Sequence, residues 1–140
     1  MSDYVPVELR RLVLERAAFI CEYCRLAMTF LTGPITLDHI IAFSLGGETS
    51  ADNLACACYG CNQFKAARSH APDPITGQPV PLFHPHQQNW NGHFGWNEDF
   101  TLMLGLTPTG RATIEALQLN RPALVNIRRL LRQHGYHPPG

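Results

Sequence analysis

Residues 35–65 read ITLDHIIAFSLGGETSADNLACACYGCNQFK, and most of the chain's informative residues lie in or beside this segment. Residues 35–41 are rich in β-branched and apolar side chains, which predicts a short strand. A loop with two adjacent glycines follows, and residues 54–57 form a plausible second strand. From residue 59 to about 69 the spacing of side chains suits a helix. The segment therefore predicts a strand, a loop, a second strand and a helix, in that order.

The cysteines are clustered around the same segment. Cys21 and Cys24 form a Cys-x2-Cys pair, Cys58 and Cys61 form another, and residues 25–57 separate the two pairs. Two such pairs are the usual sequence mark of a zinc ion held by four thiolates. This site would tie the end of an N-terminal helix to the start of the helix after the second strand. The fifth cysteine, Cys56, is expected to be a small buried residue of the second strand.

The polar residues between and after the cysteine pairs follow a specific order. Asp38-His39 lies in the first predicted strand, Asn53-Leu54 lies at the start of the second, and Asn62 follows Cys61 directly, with Lys65 three residues further on. In this order, between paired cysteines, the segment resembles the HNH endonucleases, which share a ββα-metal fold. The resemblance covers about residues 15–70, half of the chain.

The resemblance implies a role for each of these residues. His39 matches the first histidine of the family motif, the general base, and Asp38 matches the metal ligand that precedes it. Asn53 matches the central asparagine that orients the base. Asn62 stands in the place of the final histidine and would share a catalytic Mg²⁺ or Mn²⁺ ion with Asp38. Asparagine is a weaker metal ligand than histidine at this position.

The same chemistry can be argued from the residue types. Hydrolysis of a phosphodiester needs a base to activate water, a cation to stabilise the developing charge, and a group that holds the base. An imidazole, with an ordinary pKa near 6.5, is a natural base at neutral pH. A carboxylate and an amide oxygen are suitable ligands for Mg²⁺, and Asn53 could accept a hydrogen bond from the second ring nitrogen of His39. Because neighbouring strand residues point to opposite faces, Asp38 and His39 could meet at one point only through a distorted strand end or a bridging metal.

The rest of the chain predicts further helices and one hairpin. An N-terminal helix is expected over residues 6–20. Five prolines in residues 71–86 argue against a helix or central strand there and predict an extended, ordered loop. A hairpin is expected over 93–106, with helices over about 108–118 and from about 122 to 134.

Four basic side chains are candidates for contact with DNA. Arg121, Arg128 and Arg132 lie within about 40° of one another on the last predicted helix, which predicts a stripe that contacts phosphates. Lys65, on the helix after the second strand, is a further candidate. A solvated charged face is the alternative for the three arginines.

Composition limits the class of protein. The chain has 140 residues, 45% of them hydrophobic and 16% charged, which is typical of a soluble globular protein. Lysine and arginine together number 11, as do aspartate and glutamate, so the net charge is zero. Overall charge therefore does not indicate a nucleic-acid partner, and only local clusters of basic residues can do so. We expect a cytoplasmic protein with no membrane contact, because no apolar run approaches 18 residues and the first residues lack the pattern of a signal peptide. In that compartment the thiols stay reduced, which also favours zinc over disulfides.

The sequence therefore predicts an α+β protein. An HNH-type ββα-metal core with a four-cysteine zinc site is expected over residues 1–70. An extension of Pro-rich loop, hairpin and two helices is expected to pack against it over 71–140. The predicted function is metal-dependent cleavage of DNA by an endonuclease.

Two other functions remain open from the sequence. A zinc-stabilised module that binds DNA or protein without catalysis would keep the four cysteines, but it would not need Asp38, His39 and Asn53. A structural or adaptor protein would use the C-terminal helix as its docking surface.

Overall fold

A computed structural model describes residues 3–139 and has a ββα unit at its centre. Helix α1 covers Val7–Arg16, strands β1 and β2 cover Ile35–His39 and Leu54–Cys58, and helix α2 covers Tyr59–Lys65. The two strands pair antiparallel, with Leu37 opposite Cys56 and Asp38 opposite Ala55. The predicted order of strand, loop, strand and helix is confirmed. The fold is α+β with a ββα-metal core, as the sequence predicts.

Strand β2 lies in the middle of this unit, and all of its residues are buried. Its small side chains, from Ala55 to Ala57, leave room for α1 and α2 to pack close to it. Helix α1 is shorter than predicted because Ala18 and Phe19 adopt positive φ values of 54° and 58°, which no helix can continue. Helix α2 ends at Lys65 for the same reason, since φ of Ala66 is 51°.

The extension begins with a pair of short strands in the region where the sequence predicted an extended loop. Strand β3 covers His70–Pro72 and β4 covers Pro79–Pro81, paired antiparallel in a two-stranded sheet. The expectation of a loop without strands over 71–86 is therefore wrong for these two short segments. Both are edge strands, where a residue that lacks an N–H is tolerated.

The predicted hairpin and two helices follow in the predicted order, after a short helix that the sequence did not predict. Helix α3 covers Trp90–His93, β5 covers Phe94–Trp96, β6 covers Met103–Gly105, α4 covers Pro108–Leu117 and α5 covers Pro122–Gln133. Strands β5 and β6 form the predicted hairpin, which is shorter than expected. Thr107 caps α4 by accepting a hydrogen bond from the Gly110 N–H, with proline at the first helical position.

One hydrophobic core joins the ββα unit and the extension. It includes Leu14 and Leu26 from the N-terminal part, and Phe94, Leu117 and Leu124 from the extension. Burial of these side chains against one another stabilises the packing of α4 and α5 on the ββα unit. Within residues 3–139, no helix is both long enough and apolar enough to cross a membrane.

Candidate active site and metal centre

The four paired cysteines meet at one buried point. The sulfur atoms of Cys21, Cys24, Cys58 and Cys61 all lie within 4.8 Å of one another. Cys58 is the N-cap of α2 and Cys61 lies in its first turn, while Cys21 and Cys24 lie in the turn that follows α1. In each pair the second backbone N–H donates to the first sulfur, at 3.4 Å. These hydrogen bonds orient the sulfurs of Cys21 and Cys58.

The electrostatics of the cluster favour a cation at its centre. Hydrogen bonds from Cys21, Cys24 and Cys61 lower the pKa of the Cys58 thiol far below its ordinary value. The pKa of Cys24 is raised, first by its hydrogen bond with Cys21. Four soft ligands at this spacing fit a tetrahedral zinc ion, which would remove the competition for protons. The cluster supports the predicted structural zinc.

Cys56 takes no part in the cluster. Its side chain is fully buried in β2, as the sequence predicts, and burial raises the pKa of its thiol to about 12. It therefore behaves as a small apolar residue of the core.

Asp38 is buried next to a lysine. Its Oδ2 atom lies 3.0 Å from Lys65 Nζ and accepts a hydrogen bond from the Tyr23 hydroxyl at 2.6 Å. Lys65 Nζ also donates to Asp38 Oδ1 at 3.3 Å and to the Ile40 carbonyl at 2.9 Å. Burial raises the pKa of Asp38, although Lys65 and Tyr23 act in the opposite direction. The carboxylate thus faces α2 and the first cysteine pair.

His39, the last residue of β1, faces a different set of side chains. Its Nε2 atom lies 2.9 Å from Thr49 Oγ1, and its ring meets the ring of Phe43 edge-on at 6.1 Å. The ring is half-buried. β1 keeps its regular pairing through His39, so the alternation of strand side chains explains why Asp38 and His39 have different partners.

Asn53 binds the loop between the strands. Its Oδ1 accepts from the Ile41 N–H at 2.9 Å, and its Nδ2 donates to the carbonyls of Ile41 and Glu48 at 2.9 and 2.8 Å. The hydrogen bond from the His39 ring to Asn53 that the sequence suggested is thus replaced by bonds to backbone. Gly47 packs into the same loop, where a Cβ would lie 1.7 Å from the Ile41 carbonyl oxygen. Only glycine fits there.

Asn62 lies on α2 one turn before Lys65 and is half-buried. Residues three apart on a helix are neighbours on one face. Asn62 therefore lies beside the residue that contacts Asp38.

Two of the predicted DNA contacts lie in the interior. Lys65 is 1% exposed, with its ammonium group on Asp38 and on backbone carbonyls. Arg128 is fully buried and donates to the Leu119 carbonyl at 2.7 Å. Neither cation can reach a phosphate from there, so the prediction of a DNA contact is wrong for both. Leu124 and Leu131 lie four residues before and three after Arg128, a spacing that places it on the apolar face of α5.

The other two arginines have different surroundings. Arg132 is exposed, with its guanidinium 4.5 Å from the centre of the Phe100 ring. Arg121 is half-buried and lies against the cysteine cluster, with Nη1 at 3.7 Å from Cys61 Sγ. Of the three arginines in the predicted basic stripe, Arg132 alone is exposed.

The structure adds two residues to the site that sequence reasoning missed. Tyr23 binds Asp38, and its place inside the first Cys-x2-Cys pair could have drawn attention to it. Thr49 contacts the His39 ring, and its distance from His39 along the chain does not identify it as a site residue. The extension also reaches the site, because His84 and Gln88 line a cavity of about 310 Å³ together with Ile40 and Lys65.

Comparison with protein families agrees with this geometry. Residues 21–68 match the family model described as HNH endonuclease. The match includes both cysteine pairs, both strands and α2. The match and the four-cysteine cluster together fit an HNH domain of the zinc-knuckle type. HNH domains are in general nuclease modules that bind DNA. No curated protein and no solved structure matches the chain.

Proposed function

We propose that this protein is a metal-dependent endonuclease that hydrolyses DNA phosphodiester bonds, with His39 as the general base. The observation that carries the proposal is the position of His39. It ends β1 beside Asp38, inside the segment that matches the HNH family, and its ring is half-exposed. An imidazole at this place can accept a proton from water while it remains fixed to the sheet.

Thr49 supports this role by orienting the ring. When His39 Nε2 carries its proton and donates to Thr49 Oγ1, at 2.9 Å, the lone pair lies on Nδ1. Nδ1 is then the atom that takes the proton from the attacking water. Thr49 is thus a positioning residue of the proposed mechanism.

Asn53 supports the role of His39 indirectly, through the loop that carries Thr49. Its three hydrogen bonds to the backbone of residues 41 and 48 close the loop that carries Thr49. Loss of these bonds would loosen Thr49 and, through it, the His39 ring. Asn53 is therefore proposed as a positioning residue that acts on the loop.

Asp38 and Asn62 are proposed to hold the catalytic divalent ion. Their oxygens are the hard donors that Mg²⁺ and Mn²⁺ prefer. Asp38 can accept about four hydrogen bonds or ligands; Tyr23 takes one site and Lys65 takes two. We propose that the ion binds at the remaining site on Asp38 and shares the carboxylate with Lys65. When bound, such an ion would stabilise negative charge on the phosphate and on the leaving oxygen.

Cleavage of supercoiled plasmid DNA by the zinc-loaded protein, with and without Mg²⁺, tests the proposal. We expect cutting that requires the divalent ion, and a loss of about 10²–10⁴-fold in rate for His39→Ala, as is typical when a general base is removed. The matched control is His134→Ala, which removes an exposed histidine near the end of α5. Zinc content and circular dichroism should be the same in all three proteins. A His39→Ala protein that cuts near the wild-type rate would refute the role of His39.

A non-catalytic zinc-stabilised module remains the second candidate. The observation that favours it is the Lys65 ammonium, which already neutralises Asp38. In that case the wild-type protein would bind DNA and leave it intact at every Mg²⁺ and Mn²⁺ concentration.

A further inference from the structure

The guanidinium of Arg121 is bound to the sulfurs of the cysteine cluster. Its Nη1 lies 3.7 Å from Cys61 Sγ, and its Nη2 lies 3.8 Å from both Cys58 Sγ and Cys61 Sγ. These are hydrogen-bonding distances for sulfur, which is a larger acceptor than oxygen. Arg121 lies outside the segment that matches the HNH family, at the N-cap of α5. The extension therefore contributes a cation to the metal centre of the core.

The surroundings of Arg121 are shaped to keep it there. A Cβ at residue 60 would lie 2.6 Å from Arg121 Nη2, so a larger residue there would displace the guanidinium from its present position beside the turn between Cys58 and Cys61. The Phe64 ring covers the group from another side, with its centre 5.3 Å from Cζ. Arg121 Nη1 also donates to the Leu117 carbonyl at 3.2 Å, which connects the group to the end of α4.

A second arginine of α5 points to negative charge in the same region. Arg128 is fully buried and donates to the carbonyls of Cys24, Leu119 and Thr101 and to the amide oxygen of Asn120. Among residues 3–139 no carboxylate forms an ion pair with it. A buried cation without a counter-charge is costly. A zinc ion held by four thiolates carries a net charge of about −2 and would compensate for it.

We propose that Arg121 is an outer ligand of the zinc centre, which neutralises the thiolates of Cys58 and Cys61 and thereby couples helix α5 to the bound metal. The sulfurs of a zinc–tetrathiolate keep lone pairs that accept N–H hydrogen bonds, and each such bond lowers the charge that the metal must balance. Because the coupling is reciprocal, zinc also holds the start of α5 against the core. This inference does not depend on nuclease activity.

Zinc affinity measured by competition with a chromogenic chelator tests the proposal on the full chain. Removal of a residue that binds metal ligands typically costs 10–100-fold in affinity, and we expect that loss for Arg121→Gln. Arg121→Lys, which retains the charge and loses the fork of donors, should lie between Arg121→Gln and the wild type. The matched control is Arg129→Gln, an exposed arginine of the same helix, which should stay within about twofold of the wild type.

Two further measurements make the outcome decisive. The cobalt-substituted Arg121→Gln protein should keep the absorption bands of tetrahedral thiolate coordination, which shows that four sulfurs still bind. Amide hydrogen exchange in the first turns of α5 should become faster in the zinc-loaded variant than in the wild type.

The alternative for Arg121 is the phosphate contact that the sequence suggested. In that case Arg121→Gln would bind zinc like Arg129→Gln, and its DNA affinity would depend less steeply on salt, by about 0.9 in the log–log slope. That result would overturn the proposal, as would unchanged exchange in α5 together with unchanged zinc affinity.

Discussion

Replacement of Lys65 by methionine provides a direct test of the buried ion pair. Lys65 and Asp38 have side chains that are 1% and 4% exposed, and their charged atoms lie 3.0 Å apart. Methionine fills a similar volume without the charge. In the variant, Asp38 would keep the hydrogen bond from Tyr23 and lose the ammonium group that pairs with it.

The expected cost is large because the remaining carboxylate stays buried. Removal of one partner of a buried pair typically destabilises a protein by about 3–5 kcal/mol, since it leaves a charge without compensation. Replacement of both partners by neutral groups is much less costly. We therefore expect Lys65→Met to lose about 3–5 kcal/mol of unfolding free energy, and Asp38→Asn/Lys65→Met to recover most of it.

Urea denaturation of the zinc-loaded, reduced proteins at pH 7 measures these differences. The m-values should agree among the variants, so that the midpoints can be compared as free energies. The control is Arg129→Met, which removes an exposed cation and should change stability by no more than about 0.5 kcal/mol. A Lys65→Met protein whose unfolding free energy lies within about 1 kcal/mol of the wild-type value would refute the reasoning. If its DNA binding also became less dependent on salt, Lys65 would be a surface contact for phosphates.

Four further predictions follow from the zinc centre, the extension and the proposed site. The Cys58→Ser protein should unfold or aggregate. Cys56→Ala should lower the free energy of unfolding by about 1–2 kcal/mol, as measured by urea denaturation. Arg111 Nη2 lies 2.8 Å from Asp73 Oδ2, and its hydrogen bond lowers the pKa of Asp73. The stability that this pair contributes should therefore be complete above the unfolded pKa of about 3.9 and fade as the pH falls towards the lower folded pKa. The difference in melting temperature between wild type and Asp73→Asn should shrink accordingly in acid. Arg132→Gln should weaken DNA binding equally for all sequences and reduce the salt slope by up to about 0.9, as measured by fluorescence anisotropy. Asn62→His should lower the Mg²⁺ concentration needed for half-maximal cleavage, and an unchanged requirement would mean that Asn62 is not a metal ligand.

The order of elements and the metal centre were accessible from the sequence because both depend on short-range information. Residue spacing along the chain predicts strands and helices, and a Cys-x2-Cys turn brings its own two sulfurs together. The ends of elements were less accessible. The positive φ values of Ala18 and Phe19 end α1 early, although neither residue type signals a helix end.

The environment of each charged side chain was decided only by the tertiary structure. Sequence periodicity placed Arg121, Arg128 and Arg132 on one face of α5, but it could not say which part of that face the rest of the chain covers. In the folded protein Arg128 is buried, Arg121 lies on the cysteine sulfurs and Arg132 is exposed. Lys65 shows the same limit, because its partner Asp38 lies 27 residues away in the sequence. A cation is stable in the interior only where folding brings an acceptor or an opposite charge to it, and such contacts form between distant parts of the chain.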